Sequence, residues 1–442
     1  MVPSLAACKR GLLTSSLALS LPVVASAQDS AAELADLKKR VADLEAKTPK
    51  SAADDDIVNW SELSGLGSRF KLYGYLRLDM IYDDSRPNNT QLPAYIRSED
   101  PTAPASVRSK SNNSDFNMHP KLTRLGLDFT GPVVAGLGDA QVLGKLEVDF
   151  YNATATESRE ALRMRLGYAQ LKWTDFNLYA GQLWDLISPL YPIVNPDFVM
   201  WGAGNLGDRR PQLRGEYVLA TGTSSKLTIA GMAGATGADD AQDLDPAGTT
   251  GAGYRDGDQS GQPTWQGRIG WKMPIPDRKN AFEAGFWVHH ASEETDTPVG
   301  TNRNFVSGVY GIDLTVPVWE DTVWIKGELW HGRNLDDIRG GILQGINAAG
   351  DEVRSTGGFG EIGWKTCERV TWYGGLSFDN PDNDDLNRNS GSRSRNQIAY
   401  TALRFDFKPI YFGLDYLRWV TGYVDADRGT DNRLQAFIQY SF

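Results

Sequence analysis

The chain has 442 residues, a formal net charge of -11 at pH 7 and a mean hydropathy of -0.40. This length suits either two or three soluble domains or one large β-barrel. Beyond the N-terminus, no stretch contains the roughly 18 apolar residues that a membrane-spanning helix needs. A membrane barrel is compatible with this low hydropathy, because only alternate residues of its strands face lipid.

The first 27 residues are typical of an export signal. Lys9 and Arg10 precede a short apolar stretch at 11–24, and small residues at 25–27 form a cleavage site. The sequence therefore predicts a signal peptide over 1–27. Its removal takes away Cys8 and leaves Cys367 as the one cysteine, which excludes an internal disulfide.

The next segment, 28–49, has the spacing of a short coiled coil. Its apolar positions follow a 3, 4, 3 pattern, which is the a/d seam of two heptads; they are Leu34, Leu37, Val41 and Leu44. Two heptads are marginal as an isolated helix, so we expect an oligomer on the periplasmic side of a membrane to bring copies together. A solvated helix or a disordered tail is the alternative. A polar linker over 50–69 follows.

From residue 70 to residue 442, strand patterns recur without interruption. We predict an all-β domain, a sixteen-stranded antiparallel transmembrane β-barrel, in which long and short connections alternate as in outer-membrane barrels. The predicted strands are 70–84, 121–130, 140–151, 162–174, 176–184, 210–219, 226–235, 264–273, 281–290, 304–315, 322–332, 356–365, 370–379, 395–406, 409–421 and 432–442.

Apolar and charged residues alternate along these strands. In the first, Leu72, Leu76 and Leu78 alternate with Arg77 and Asp79. The apolar face would contact lipid and the charged face a wet lumen, whereas a soluble sandwich would reverse the two. The last strand ends in an aromatic carboxyl terminus, Phe442, which is typical of bacterial outer-membrane barrels. We therefore expect outer-membrane lipid, lipopolysaccharide and, through the C-terminal strand, the barrel-assembly machinery as partners.

A pore functions through its width and the charges of its lining. The predicted basic lining residues are Arg77, Arg124, Arg163, Arg165, Arg214, Arg268 and Lys326. Arg163 and Arg165 have no acid two positions away on their own strand, so their guanidinium groups could together bind a carboxylate or phosphate. The alternative is that they pair with Glu147 and Asp149 on the neighbouring strand.

The connection at 185–209 is unusually apolar for an external loop. It would fit better folded into the barrel as a constriction, or packed in a subunit contact. In the first case Asp197 and Asp208 would line the opening together with Arg209 and Arg210.

No catalytic or cofactor signature is present. The four histidines have no metal-ligand spacing, and none sits beside a candidate nucleophile. We expect no metal, no cofactor, no nucleic-acid partner and no enzymatic activity. An outer-membrane barrel enzyme and an envelope tether remain as less favoured alternatives.

Several stretches between 70 and 220 resemble the DcaP-type porins in consistent order. They are FKLYGY (70–75), KLEVDFY (145–151), LRMRLGYAQ (162–170), AGQLW (180–184) and RPQLR (210–214). The resemblance implies a homotrimer of sixteen-stranded channels in the bacterial outer membrane, with an N-terminal periplasmic coiled coil. It also implies uptake of negatively charged aromatic or aliphatic acids. The expected function is passive diffusion of small hydrophilic solutes, favouring organic anions such as dicarboxylates; a non-selective general porin is the alternative.

Overall fold

The computed structural model describes most of the chain beyond residue 68. The described residues are 69–109, 114–151, 160–194, 199–221, 225–236, 240–245 and 248–442. The predicted signal peptide, the coiled-coil seam at Leu34, Leu37, Val41 and Leu44, and nearly all of the linker lie outside these ranges.

The described part of the chain is built from β-strands. These strands are β1 (Arg69–Asp83), β2 (Asp115–His119), β3 (Arg124–Val134), β4 (Ala140–Asp149), β5 (Arg163–Lys172), β6 (Phe176–Trp184), β7 (Arg209–Thr221), β8 (Ser225–Gly234), β9 (Thr264–Met273), β10 (Phe282–Val299), β11 (Asn302–Trp319), β12 (Val323–Arg333), β13 (Arg354–Cys367), β14 (Val370–Pro381), β15 (Arg393–Phe407), β16 (Ile410–Tyr423) and β17 (Gly429–Ser441).

The strands form one closed antiparallel barrel. Each strand from β3 to β17 pairs with the next in the chain, and β17 pairs with β1 from Tyr75 opposite Ser441 to Asp83 opposite Arg433. β2 and β3 both pair with β1 and share one position in the wall, which makes sixteen positions in all. The predicted sixteen-stranded barrel is thereby confirmed.

The short strand β2 corrects the predicted connection at 85–120. Pro120 directly follows it and has no N–H to donate to a ladder, so the wall is interrupted there before β3 begins. The carbonyl of Pro120 instead accepts a hydrogen bond from the N–H of Thr123, at 2.8 Å, in a turn. The missing donor explains why one wall position is divided between two strands.

Side chains alternate between the outside and the interior as the sequence predicts. Leu72, Leu76 and Leu78 of β1 are exposed on the outer surface, whereas Arg77 and Asp79 are buried inside. In a closed barrel, neighbouring strands place their apolar side chains on the same face of the wall. Because side chains alternate along each strand, the barrel has one continuous apolar outer surface and one polar inner surface.

Long connections gather at one rim and short turns at the other, together with the start of β1 and the end of β17. Three long connections matter below: L3 (residues 185–208), L4 (235–263) and L6 (334–353). The predicted loop at 291–303 is wrong, because β10 and β11 continue to a two-residue turn at Gly300 and Thr301. Residues 292–297 are all polar, so the apolar alternation that marks a strand is absent from this part of the sequence.

Helical structure in the described residues is confined to single turns. They are an α-helical turn at Asp256–Gln259 and 3-10 turns at Ala135–Leu137, Asp336–Ile338 and Asn383–Asp385. Among the described residues, no helix is both long enough and apolar enough to cross a membrane.

The C-terminal Phe442 continues the closing seam. Its N–H donates to the carbonyl of Gly74 at 3.1 Å, and the N–H of Gly74 donates back to its carbonyl at 3.2 Å. The ring of Phe442 lies 6.3 Å from that of Tyr440 on the outer surface, where both side chains are exposed.

Candidate channel constriction

L3 folds inward from the barrel wall. The N–H of Asp185, at its start, donates to the carbonyl of Asp208, at its end, over 2.9 Å, which brings the two ends of the loop together. The Asp185 carboxylate also receives two hydrogen bonds from the Arg210 guanidinium, at 2.6 and 2.8 Å. The base of L3 is therefore held by a buried bidentate ion pair.

Acidic residues of β12 and β13 hold the first half of L3. Glu328 accepts hydrogen bonds from the hydroxyl of Ser188 and from the N–H of Leu190, the latter at 2.6 Å. Glu361 accepts from the N–H of Ile193 at 2.7 Å. Backbone groups that would be orphaned in an inward-folded loop are thus satisfied by the wall.

The second half of L3 meets the same side of the barrel. Trp330 donates its indole N–H to the carbonyl of Gly204 at 2.9 Å, and the Asn396 amide donates to the carbonyl of Gly202 at 2.5 Å. Apolar packing accompanies these bonds: Ile187 and Leu206 of L3 are buried together with Trp330. The apolar content of L3 is explained by this packing, as the inward-folded alternative from the sequence requires.

A cavity of about 370 Å³ lies between L3 and the wall. Its most evident feature is six arginines, while no aspartate or glutamate is among its lining residues in the described ranges. The arginines come from five strands and are Arg77, Arg124, Arg163, Arg165, Arg209 and Arg404. The lining also includes apolar and aromatic residues of L3, among them Tyr191, Ile193 and Trp201.

Carboxylates behind the arginines hold several of these side chains in place. Arg163 donates to Asp149 at 2.7 and 2.9 Å, while Arg165 donates to Glu147 and to Asp149, each at 2.8 Å. The sequence leaves open whether these two arginines bind a solute or pair with Glu147 and Asp149, and the structure shows the pairing across strands. The two guanidinium groups nevertheless line the cavity, so the paired acids fix their position without covering them.

Two of the arginines have spare hydrogen-bond donors. Nε of Arg124 and Nη1 of Arg209 are buried without a hydrogen-bond partner among the described residues. The Arg209 guanidinium lies 3.5 Å from Asp208, which also pairs with Arg339 at 2.8 Å. Burial of Asp208 opposes its charge, but Arg339 and Arg209 outweigh it and lower the pKa of Asp208. Asp208 therefore remains ionised.

Aromatic rings lie beside the guanidinium groups. The Arg77 guanidinium lies 3.6 Å from the centre of the Phe437 ring, that of Arg163 lies 4.5 Å from Tyr151, and that of Arg209 lies 4.7 Å from Trp184. Rings in these positions hold the cations by cation–π attraction and add apolar surface to the cavity. The cavity thus offers both positive charge and flat apolar contacts.

The other basic residues predicted for the lumen have partners elsewhere in the barrel. Arg214 contacts Glu216 at 3.5 Å, Arg268 pairs with Asp313 at 2.7 Å, and Lys326 lies 3.2 Å from Glu361 and donates to the carbonyl of Tyr191 at 2.5 Å. Arg210 pairs with Asp185 at the base of L3. Asp197 lies outside the described residues.

Arg404 is the cavity arginine that sequence reasoning missed. It pairs with Asp415 of the next strand at 2.6 Å and donates to the carbonyl of Ile193 in L3. The signal was present, because Arg404 follows Tyr400 and Ala402 at a period of two in a predicted strand, and both are buried inside.

The comparisons with known proteins agree with this architecture. The sequence matches no protein-family model and no curated protein. Among solved structures, the outer membrane channel DcaP of Acinetobacter baumannii has a TM-score of 0.62 at 19% identity, covering 85% of this chain and 97% of that chain. Salmonella typhi OmpF, in a complex with daunomycin, has a TM-score of 0.54 at 12% identity, covering 85% and 98%.

Pseudomonas putida OprB gives a TM-score of 0.50 at 10% identity, covering 84% of this chain and 94% of that chain. At these identities the likeness concerns the fold. The resemblance to DcaP-type channels seen in the sequence is confirmed at that level: the chain has the closed sixteen-stranded fold of the DcaP outer membrane channel.

Proposed function

We propose that this chain is an outer-membrane porin whose constriction favours small organic anions, dicarboxylates among them. The observation that carries the proposal is the cavity beside L3, with six arginines in its lining and no carboxylate among its described lining residues. Positive charge in a narrow, partly desolvated opening raises the local concentration of anions. Adjacent guanidinium groups suit carboxylates in particular, because each can donate two parallel hydrogen bonds.

The apolar side of the cavity refines the solute class. Tyr191, Ile193 and Trp201 of L3 line the same cavity as the arginines. A solute with a carboxylate at one end and an apolar or aromatic body can contact both kinds of residue at once. This supports organic acids over inorganic anions as the favoured solutes.

The remaining parts of the proposal rest on the sequence. They are removal of a signal peptide over 1–27, a periplasmic helix over 28–49, assembly as a homotrimer, and insertion in the outer membrane beside lipopolysaccharide by the barrel-assembly machinery. The heptad seam and the resemblance to trimeric channels support the oligomer.

A general porin without charge preference is the second candidate. The observation that favours it is the pairing of Arg163 and Arg165 with Asp149 and Glu147, which lowers the net charge of this part of the wall. The two candidates differ in ion selectivity and can be separated by reversal potentials.

The test is the double variant Arg163→Ser/Arg165→Ser in planar bilayers across a salt gradient. We expect the anion-to-cation permeability ratio to fall, and dicarboxylate flux to fall more than flux of a neutral sugar, because two cavity cations are lost. Arg268→Ser is the matched control, since Arg268 pairs with Asp313 outside the cavity. An unchanged ratio in the double variant would contradict the anion preference and leave the general porin.

A further variant keeps the local charge balanced. Replacing Arg163 and Arg165 together with Glu147→Gln and Asp149→Asn removes the guanidinium groups and their partners at once. If recognition by guanidinium hydrogen bonds matters, dicarboxylate flux remains low in this variant while the permeability ratio for small ions recovers part of its loss.

A further inference from the structure

L4 and L6 bring five carboxylates together at the rim that carries the long loops. Asp240, Asp336 and Asp337 each offer an oxygen within 4.8 Å of the others, and so do Asp240, Asp243 and Asp256. Asp240 belongs to both groups, so the two groups form one continuous cluster.

Burying several carboxylates close together is unfavourable for the folded protein. Asp256, Asp336 and Asp337 are each at most 7% exposed. Burial, together with Asp240 and Asp243, raises the pKa of Asp256 to about 7. Burial also raises the pKa of Asp337, with Asp336 and Asp240 adding to the effect. Several charges of one sign in a buried place favour a bound cation or bound protons, although Arg210 offsets part of the effect at Asp337.

A neutral oxygen points to the same place independently of the acids. Asn334 is completely buried, and its Oδ1 has no hydrogen-bond partner among the described residues. Its amide nitrogen donates to Glu293 at 2.7 Å, which fixes the direction of the oxygen. A buried amide oxygen without a partner is unfavourable, and such groups in native proteins commonly have a water or an ion.

Gly345 shows that Asn334 Oδ1 and a cluster carboxylate face the same space. A methyl group on Gly345 would lie 2.1 Å from Oδ1 of Asp336 and 2.3 Å from Oδ1 of Asn334. Both oxygens therefore pack closely against Gly345, which places Asn334 Oδ1 beside a carboxylate oxygen of the cluster. Asp256 adds a second oxygen, Oδ1, that is buried without a hydrogen-bond partner among the described residues.

We propose that a calcium ion binds between L4 and L6 at this cluster. All the donors are carboxylate and amide oxygens, which are the ligands of hard divalent cations. Calcium takes six to eight oxygens in a flexible geometry, whereas magnesium demands a near-ideal octahedron and keeps several waters. Several carboxylates contributed by two separate loops therefore suit calcium better.

The ion would add to the contacts that already hold the two loops together. Gln242 already links them, because its N–H donates to Asp336 at 3.0 Å and its amide nitrogen donates to the carbonyl of Ile346 at 2.7 Å. Calcium would add bonds from both sides at Asp240 and so hold the rim of the barrel in one arrangement. This role is independent of which solutes pass the constriction.

The test uses the full chain in detergent micelles, freed of metal with EDTA and titrated calorimetrically with calcium chloride. We expect saturable binding with a dissociation constant of about 1 mM or tighter, as in extracellular calcium sites, and weaker binding of magnesium. Asp240→Asn should weaken calcium at least about tenfold, because it removes the carboxylate shared by both groups. Asp351→Asn, an exposed acid of L6, is the matched control and should bind as the wild type does.

A second variant covers the case in which Asp240→Asn does not fold. Asp243 is exposed, so Asp243→Asn should fold and still reduce calcium affinity. Thermal unfolding gives a separate readout: calcium should raise the melting temperature of the wild type and of Asp351→Asn, but less that of Asp243→Asn. Lack of saturable calcium binding by the wild type, or equal affinity in the wild type and the cluster variants, would overturn the proposal and indicate carboxylates that share protons instead.

Discussion

At the scale of single residues, the described part of the barrel contains ion pairs of two very different kinds. Arg433 and Asp83 face each other across the closing seam of β17 and β1 at 2.6 Å, with both side chains completely buried. Arg388 and Asp425 form a 3.5 Å pair near a loop, in which the arginine side chain is 77% exposed. Only the first pair is in a place where the loss of one partner leaves a charge that water cannot reach.

We predict that Arg433→Ala destabilises the barrel strongly, by about 3–5 kcal/mol, because Asp83 is left buried and unpaired. Arg388→Ala is the control, and exposed pairs contribute about 1 kcal/mol or less. Heat- or urea-induced unfolding of the detergent-solubilised protein, followed by the mobility shift of the folded barrel, measures both. Equal midpoints for the two variants would contradict the prediction.

Asp256 predicts a pH dependence of stability in the absence of divalent cations. Its pKa is about 7 in the folded protein, above the ordinary value of 3.8, because of burial and of Asp240 and Asp243. Between these values the folded state binds more protons than the unfolded state. Stability therefore falls as the pH rises from about 4 to about 7, by at most about 1.4 kcal/mol per pH unit for this group.

The measurement is the melting temperature in EDTA at pH 5 and pH 8. We expect the wild type and Asp351→Asn to lose stability at pH 8, and Asp256→Asn to lose less, since its amide does not ionise. If Asp256→Asn lost as much as the wild type, the raised pKa of Asp256 would not be the cause.

At the scale of elements, L3 is the part that the proposed function makes responsible for the width of the opening. Glu328 and Glu361 supply the hydrogen bonds that hold its first half against β12 and β13. We predict that Glu328→Ala/Glu361→Ala frees L3, which increases single-channel conductance and admits larger neutral solutes. Each replacement removes an acceptor from a buried N–H, which costs about 1–3 kcal/mol.

Single-channel recordings and sugar-swelling assays in liposomes measure the change. Glu283→Ala is the control, because Glu283 forms an exposed pair with Lys272 at 2.6 Å and does not contact L3 through a described hydrogen bond. A conductance equal to that of the wild type would mean that the remaining contacts, such as those of Trp330 and Asn396, are sufficient.

The strands could be predicted from sequence because a period of two marks them. The apolar run of L3 indicated that the loop does not face water, but it left open whether L3 folds inward or packs in a subunit contact. What could not be predicted depends on register between distant residues. The pairing and register of the strands decide whether Arg163 binds a solute or pairs with Asp149. They also decide whether Arg404 reaches the cavity.

At the scale of the whole molecule, all the strands of the barrel and their pairings lie within 69–442. We predict that Leu37→Asp/Leu44→Asp weakens the N-terminal coiled coil but leaves the barrel folded, because a polar linker at 50–69 separates them in the sequence. Chemical crosslinking measures the oligomer, and heat-modifiability measures the barrel. Loss of the folded barrel would contradict the separation, and trimers that persist would assign the subunit contact to the barrel.

The carboxylate cluster of L4 and L6 could not be predicted from sequence, because it too depends on contacts between distant parts of the chain. Its acids stand in two loops almost 100 residues apart, and single aspartates in polar loops have no distinguishing pattern. The arginines of the cavity were easier to predict, since a basic residue that alternates with apolar residues along a barrel strand is expected to face the interior.

The attachment of L3 has a consequence for the order in which the protein assembles. Its partners Glu328, Glu361 and Asn396 lie 138 to 194 residues further along the chain than the L3 groups they bind. During folding, L3 therefore has no place to dock until the second half of the wall exists, and the entropic cost of these long-range contacts comes late. We therefore expect L3 to be among the last parts of the barrel to reach its final position, after the strands that carry its partners have formed.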